Sequence, residues 1–572
     1  MGKSQVIQPY TSRPRSLRTA FSEYGWQQGL DAFFVDHVPF SYSTSYLLAN
    51  TLSRLIQDSA ISRAIQSDEK QHWVELGSGS GMFSRQLLDL LSPRYPALYS
   101  QISLMITDGY PTFVSSMKQS GFFDAHQNVM QAQAIDISGP FNHCFSTPLS
   151  GIYFSYLIDS MPCTHIHIEK GIPFELQIQL SIPETAVIWE TSTFPPRRLS
   201  FEDVLYRIHH QEMWTPQFIR QLSRVLEETT QRVQLEQTEL CPQDQDFLRS
   251  FSQLYPDQSF LFNYPLTLHH FFNQLSQVCS PDTWVVMQDF GCLTPENSQM
   301  PDDLRRHYGM ITCYPVFFPL IQAVAQSYGF IHSQRTLTPQ EESSQLCIYS
   351  KKPLPESLSK VLDTHTQLFS QLHATHRMLD ETPPFDSSDG LLSFFNTQPD
   401  DIRYDYQFIY KLMRICAEHH WNDTAVFLFT QATPIHQQMA LPLMELLLRN
   451  QLQNGETDPI EATFKRIKLV PNSQTGDFLM GLFYLSTQKY DQALPLLLNT
   501  VAQETVLNGY TLYLIAETAY RLQNTVLCEV AVRFILECNS LYPGLLDSQV
   551  IQNTQTLQQI LATYNKDLGE KS

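Results

Sequence analysis

The sequence predicts an α/β domain on a mostly parallel sheet, carrying a helical insertion and followed by an all-α region. Three observations predict it. His72 to Leu91, HWVELGSGSGMFSRQLLDLL, runs an apolar strand into three alternating glycines and then a helix. Strand and helix patterns alternate from there to residue 352, with acids at several strand ends, as in open sheets that take ligands at the carboxyl ends of their strands. Beyond residue 400, helical patterns with small residues at fixed spacing take over.

The glycine stretch organises the rest. Gly77, Gly79 and Gly81 can adopt positive φ and let the backbone come close to a ligand. Phe83, Leu87, Leu90 and Leu91 fall at i, i+4, i+7 and i+8, one apolar face that packs the helix on a sheet. The free amides at its N-terminus favour an anionic group such as a carboxylate. The dinucleotide pattern G-x-G-x-x-G, with an acid about 20 residues on, does not fit. Here the third glycine comes one position early, Glu75 sits two residues before the first, and Asp108 is further away. The stretch resembles motif I of class I S-adenosylmethionine methyltransferases, E/D-x-G-x-G-x-G, and this resemblance implies a Rossmann-like sheet, S-adenosyl-L-methionine as cofactor, and Glu75, Gly77, Gly79 and Gly81 at its site.

Composition narrows the function classes. At 572 residues, 42% of them hydrophobic, the chain is globular and long enough for several domains. The formal charge of −20 opposes docking on nucleic-acid phosphates. An acidic surface favours a basic substrate, and serves solubility equally well. The ten cysteines include no C-x-x-C pair, and the histidines His165, His167, His209 and His210 lack any ligand spacing, so neither a disulfide framework nor a metal site is expected. No apolar run is long enough to span a membrane. Lys3, Arg13, Arg15 and Arg18 precede the first acid, Glu23, which reads as a disordered arm in a bacterium or a mitochondrial transit peptide in a eukaryote. The expected location is accordingly cytoplasmic, with the mitochondrial matrix as the alternative.

Element by element, a helix from about Ser45 covers the sheet, and a second strand, ISLMIT, ends at Asp108. Asp108 is placed to hold ribose hydroxyls or, equally, to cap the next helix. VMQAQAID forms a third strand with Asp136 at its end, near an adenine amine; GIYFSYLID forms a fourth that stops at Asp159. AVIWET is a further candidate strand, and residues 199–277 read as a polar helical insertion. TWVVMQDFG returns to a buried strand ending at Asp289, a helix runs from about Val316 to Ser327, and GFIHSQRT and QLCIYSK close the domain.

Four of these segments resemble the MidA-like family of methyltransferases: MITDGYP, GIYFSYLIDSMP, VVMQDFG and HYGMITCYPVFFPL, over roughly residues 20 to 352. Members methylate arginine on a respiratory complex I subunit, or are bacterial relatives of unsettled substrate. Ser155 and Tyr156 stand where that family has Asn-Glu. Asp159 and Asp289, at the ends of neighbouring strands, are the expected catalytic carboxylates, orienting a guanidinium by paired hydrogen bonds.

Residues 382–400, with Pro-Pro and Asp-Gly, read as a linker after a polar helix. In the tail, Gly481 and Ala493 are twelve apart, Ala519 and Ala531 are twelve apart, and Ala425, Phe429 and Ala432 repeat the pattern earlier. This resembles tetratricopeptide repeats, whose small residues let two helices approach closely. The division expected is an arm at 1–29, a methyltransferase domain at 30–352, a helix and linker at 353–400, and a repeat domain at 401–565 that recruits a protein substrate or partner. The alternative function is a scaffold that keeps the methyltransferase fold without turnover and binds a protein through its tail.

Overall fold

The structure, a computed structural model, describes residues 4–40, 43–62, 70–145, 147–297, 304–336, 343–381, 385–454, 457–467, 474–503, 507–542 and 545–569. Two compact units divide the chain: one holds residues 8–181 and 227–443, the other residues 1–7, 182–226 and 444–572. These limits differ from the expected 352 and 400.

The first unit is built on two sheets whose strands are β1 Gln71–Leu76, β2 Ile102–Asp108, β3 Met130–Ala134, β4 Gly151–Ser155, β5 Cys163–Glu169, β6 Ile172–Pro183, β7 Glu227–Gln234, β8 Ser259–Pro265, β9 Trp284–Cys292, β10 Ile331–Thr336 and β11 Ser343–Ser350. The larger sheet orders them β10-β11-β9-β4-β1-β2-β3. Its β4, β1, β2, β3 and β9 run parallel, while β11 lies antiparallel to both β9 and β10. The chain steps outward from β1 to β3 and then returns to the other side of β1 for β4. That reversal leaves a crevice at the carboxyl ends of β1 and β4, where open α/β sheets bind ligands.

Helices cover the larger sheet as the periodicity predicts. Those of the first unit used below are α1 Leu17–Gln27, α2 Tyr46–Ser62, α3 Met82–Arg94, α4 Phe318–Ser327, α5 Glu356–Glu381 and α6 Tyr406–His419. On α3, Phe83, Leu87, Leu90 and Leu91 are all buried. The core beneath α4 gathers Val74, Leu76, Ile152, Phe154, Val285 and Met287 from three adjacent strands with Ile321 and Val324.

Several expectations need correction. Residues 199–277 are not a helical insertion, because β7 and β8 lie within them and join an antiparallel sheet with β5 and β6. Leu176, Ile178, Leu180 and Ile182 alternate with polar residues along β6 and are all buried, which is the period of a strand. AVIWET contributes only the pair Trp189–Glu190, matched to Arg197–Arg198. In the expected linker, residues 382–384 lie outside the described ones, but Ser388–Thr397 is a helix with Leu391 and Phe395 buried. The polar helix before it packs on the same unit. Leu358, Leu362, His365, Phe369, Leu372, His376 and Leu379 recur at alternating steps of four and three along α5 and form one buried stripe against α2 and α6.

The basic N-terminal stretch is no disordered arm from Ser4 onward: a strand Ser4–Thr11 leads to α1. Arg13 is fully buried and pairs with Glu228 on β7. Arg18 Nε and Arg305 Nη1 reach the same carboxylate at 2.9 Å each. Burial alone would raise the Glu228 carboxyl, but Arg13, Arg305 and Arg18 outweigh it and hold it at about 2. No described helix is long and apolar enough to cross a membrane.

The second unit is helical, with α7 Gln474–Ser486, α8 Tyr490–Gln503, α9 Gly509–Arg521 and α10 Thr525–Leu541 joined in pairs by three-residue turns. At Gly481 an added Cβ would come 2.9 Å from Leu497 Cδ2, so glycine is what lets α7 lie so close to α8. Ala519 and Ala531 are fully buried where α9 meets α10. Residues 182–226 fasten onto these helices. Trp189 packs edge-on against Phe534 and Tyr542 at 5.9 and 6.0 Å, Arg198 donates to the Tyr542 hydroxyl at 2.6 Å, and Thr191 donates to Ala502 O at 3.1 Å. Gln221 brackets the Trp189 backbone, accepting from its N–H at 2.7 Å and donating to its carbonyl at 2.9 Å.

Trp189→Ala should destabilise the second unit by roughly 3 kcal/mol, as for other buried tryptophans. Denaturant unfolding followed by far-UV circular dichroism measures it. A loss below about 1 kcal/mol would mean that the 182–226 segment only rests on the helices.

Candidate active site

The crevice between β1 and β4 begins with the glycine turn. Gly77, Gly79 and Gly81 have φ of 66°, 53° and 73°, the left-handed region the alternating glycines predict. The turn is tied to β2: Ser78 N donates to Thr107 O at 2.8 Å, and Gly79 N donates to Asp108 Oδ2 at 2.9 Å. The other oxygen, Asp108 Oδ1, accepts from Tyr110 N at 2.9 Å. Asp108 is therefore a clamp on two loops, and it also lines the crevice. Each carboxylate oxygen keeps a further lone pair for a hydroxyl donor.

Gly77 and Gly79 line the cavity, while the space a side chain would take at each is filled by the protein's own side chains. A Cβ on Gly77 would stand 2.6 Å from Leu157 Cδ1, and one on Gly79 2.8 Å from Phe33 Cζ. Phe33 belongs to an aromatic group with Trp26, Phe40 and Phe113, at ring separations of 5.8 to 6.3 Å. Next to this group opens a cavity of about 600 Å³. That is the size of a cofactor pocket.

Among the described residues lining it, the ionisable carboxyls are Glu23, Glu75, Asp108, Asp136 and Asp159, joined by His373, and there is no lysine or arginine. Glu75 ends β1 in burial and accepts a hydrogen bond from Ser84 on α3. Burial pushes its carboxyl up to about 8, with Ser84 opposing and Asp108 adding to the rise. Asp108 is raised by burial to about 6, held back by the amides of Tyr110 and Gly79. Asp136 is exposed, two residues past the end of β3, and accepts from Ser138 N at 2.9 Å and Ser138 Oγ at 2.6 Å.

Asp159 stands on a short 3-10 turn, Ile158–Ser160, four residues beyond the end of β4. It is buried and accepts from Ser160 Oγ at 3.1 Å. Burial raises it to about 7 against hydrogen bonds from Ser160 and Cys313. Asp289 is placed differently from the expectation. It lies inside β9, which continues to Cys292; it is fully buried and absent from the cavity lining. Its oxygens accept from Phe290 N at 2.9 Å and Ile158 N at 3.2 Å, so it supports the turn that presents Asp159. Burial, then the nearby Asp159, push it well above the carboxylate range. Two buried carboxyls this close cannot both ionise cheaply.

Tyr156 has φ 51°, a strained setting for a residue with a side chain, costing about 1–3 kcal/mol. Its N–H donates to Gln288 O at 2.9 Å and its carbonyl accepts from Ser160 Oγ at 3.0 Å. The ring lies 6.0 Å from that of Phe290, and both line the cavity.

Other lining residues carried no site motif in the sequence: Glu23 and Trp26 of α1, Tyr308, Cys313, and Phe369 and His373 of α5. Phe369 had a signal in its place on the buried stripe of α5, and Tyr308 and Cys313 in the segment HYGMITCYPVFFPL. The residues present fit a nucleoside cofactor of positive charge: a glycine turn, a clamp carboxylate with lone pairs to spare, and a lining without cations to repel it.

No protein-family model and no curated protein sequence matches this chain. Solved structures do. An uncharacterized COG1565 superfamily protein from Burkholderia thailandensis aligns with TM-score 0.35 and 10% identity, over 60% of this chain and 93% of its own. A COG1565 superfamily member from the same organism, bound to S-adenosyl-homocysteine, aligns with TM-score 0.32 and 10% identity over 57% and 78%. Human N-acetylserotonin methyltransferase in complex with SAM aligns with TM-score 0.23 and 11% identity over 60% and 67%.

The raised carboxyls fix a pH dependence. Folding raises Glu75 to about 8, Asp159 to about 7 and Asp108 to about 6, so the native state binds more protons than the unfolded chain above their ordinary values. The stability they contribute is full below about pH 4 and is lost as pH rises through those values. Glu75→Gln should flatten this decline between about pH 5 and 8, measured by equilibrium unfolding at several pH values. An identical slope in the variant would remove Glu75 from the account.

Proposed function

We propose that the cavity holds S-adenosylmethionine and that the protein transfers its methyl group to a nitrogen of a protein, with an arginine side chain the first candidate. The observation that carries this is the lining of the crevice at the strand-order reversal: five carboxyls, one histidine and no lysine or arginine, beside a left-handed glycine turn. Such a lining disfavours phosphate-bearing cofactors and favours cations on both sides of a methyl transfer.

When bound, the cofactor supplies an electrophilic methyl group on a sulfonium. The protein's part is placement and exclusion of water. Asp108, fixed by Gly79 and Tyr110, offers its remaining lone pairs to ribose hydroxyls, and Asp136 faces the base. Glu75 and the amino end of α3 flank the amino-acid portion. Asp159 orients the incoming nitrogen, and with its carboxyl raised to about 7 it can accept a proton from a cationic acceptor near neutral pH. Asp289 keeps Asp159 in place through Ile158 N.

A second reading is a scaffold without turnover, favoured by one feature: Tyr156, a neutral residue, stands at the position where the related pattern carries a carboxylate. In both readings the helical unit serves as the protein-binding part, supported by the apolar side chains it leaves exposed, Val526 at 72% and Leu541 at 69% among them.

Asp159→Asn should leave cofactor binding by calorimetry intact and lower labelled-methyl transfer to proteins of the host lysate at least tenfold, about 1.4 kcal/mol. Unchanged transfer would make Asp159 a turn residue only. No transfer by the wild type, with the cofactor bound, would favour the scaffold.

A further inference from the structure

The turn after β4 does more than carry Asp159. Leu157 Cδ1 is the atom nearest to where a Gly77 Cβ would be, so the Leu157 side chain lies directly against the glycine turn. With Asp108 and Asp136 taken as the nucleoside side, toward β2 and β3, the sulfur of a bound cofactor, which lies between its ribose and its amino-acid portion, would fall toward the β4 side. Tyr156 and Phe290, with rings 6.0 Å apart and inclined by 40°, and Asp159 are among the side chains that line the cavity on that side.

Tyr156 is also where the backbone is strained. Glycine or asparagine takes a left-handed φ readily, yet a tyrosine stands here, held by Gln288 O and Ser160 Oγ. Strain of this kind persists where the surrounding structure enforces it, commonly at ligand sites. What tyrosine adds over those residues is an aromatic ring in the cavity lining. Ring faces attract cations, most strongly where water is excluded.

We infer that the Tyr156 and Phe290 rings, standing beside Asp159, read the positive charge of the cofactor's sulfonium and so favour S-adenosylmethionine over its neutral product, S-adenosylhomocysteine. The inference rests on the cofactor reading above. Loss of the methyl group removes the charge, and with it the attraction of both the rings and the carboxyl, while every contact to ribose and base is unchanged. The product therefore leaves a site that still fits its shape. No lysine or arginine in the lining offsets this difference.

Calorimetry of the full chain with each compound tests it without any acceptor. The wild type should bind S-adenosylmethionine at least tenfold more tightly than S-adenosylhomocysteine, about 1.4 kcal/mol. Tyr156→Asn, which accepts the left-handed backbone, should reduce the ratio to roughly threefold or less while affinity for S-adenosylhomocysteine stays within about twofold. Tyr156→Phe keeps the ring and should keep the ratio. If Tyr156→Asn fails to fold, Phe290→Leu should lower the ratio in the same direction. A wild-type ratio near one, a ratio unchanged in both Tyr156→Asn and Phe290→Leu, or its loss in Tyr156→Phe overturns the inference while leaving the cofactor reading standing. Binding of neither compound by the wild type overturns that reading and this one together.

Discussion

The first unit depends on one carboxylate. Asp108, at the tip of β2, takes the amide of Gly79 on one oxygen and that of Tyr110 on the other, and so ties the turn after β1 to the loop after β2. Without it the left-handed run from Gly77 to Gly81 would have no partner for its central amide, and the amino end of α3 would lose its direction. A short glycine-rich segment is entropically the costliest to order. Fixing it with a charge-assisted bond from a buried acceptor is what allows the crevice to exist before any ligand arrives.

Two ways of burying acids sit side by side in this unit. Glu228 is surrounded by Arg13, Arg18 and Arg305, and its pairing anchors the N-terminal segment to β7. Its contribution to stability holds above ordinary carboxyl values and is lost only as pH falls through about 2. The crevice acids have no such partners, so burial raises them instead. Glu228 shows the alternative: arginines set beside these acids would hold them ionised and would also fill the site. Acids left without cations are stability given up for a ligand that carries the positive charge itself.

Much of this was legible in the sequence, and the failures have physical causes. The glycine turn, the burial of Phe83, Leu87, Leu90 and Leu91, and the strands ending at Leu76 and Asp108 follow from spacing alone, since each involves residues close together in the chain. Glu75, Asp108, Asp136 and Asp159 line one cavity because they sit at or beyond the ends of parallel strands. Asp289 was misplaced since a strand's last residue cannot be read from composition, and β9 runs three residues further. The antiparallel sheet had a clear period in Leu176, Ile178, Leu180 and Ile182, but its partner β7 lies beyond an excursion of over forty residues and is polar along its whole length but for Val233. The clamp itself was half visible: an acid at a strand tip reads equally as ligand or cap, and here it caps no helix but holds the amides of Gly79 and Tyr110 while lining the cavity.

The excursion explains why the tail could be read but not delimited. The close approach of α7 to α8 at Gly481 and the burial of Ala519 and Ala531 are local consequences of small residues in helical hairpins, and the sequence carries them openly. What covers the far side of those hairpins is Trp189, brought from more than three hundred residues away on a segment that leaves the antiparallel sheet after β6 and returns at β7. No pattern within residues 401–565 records that need. The stretch that carries Trp189, placed between two strands of another unit, is therefore part of the core of the helices, and a fragment cut at a boundary drawn from the tail alone would lack one of its own buried side chains.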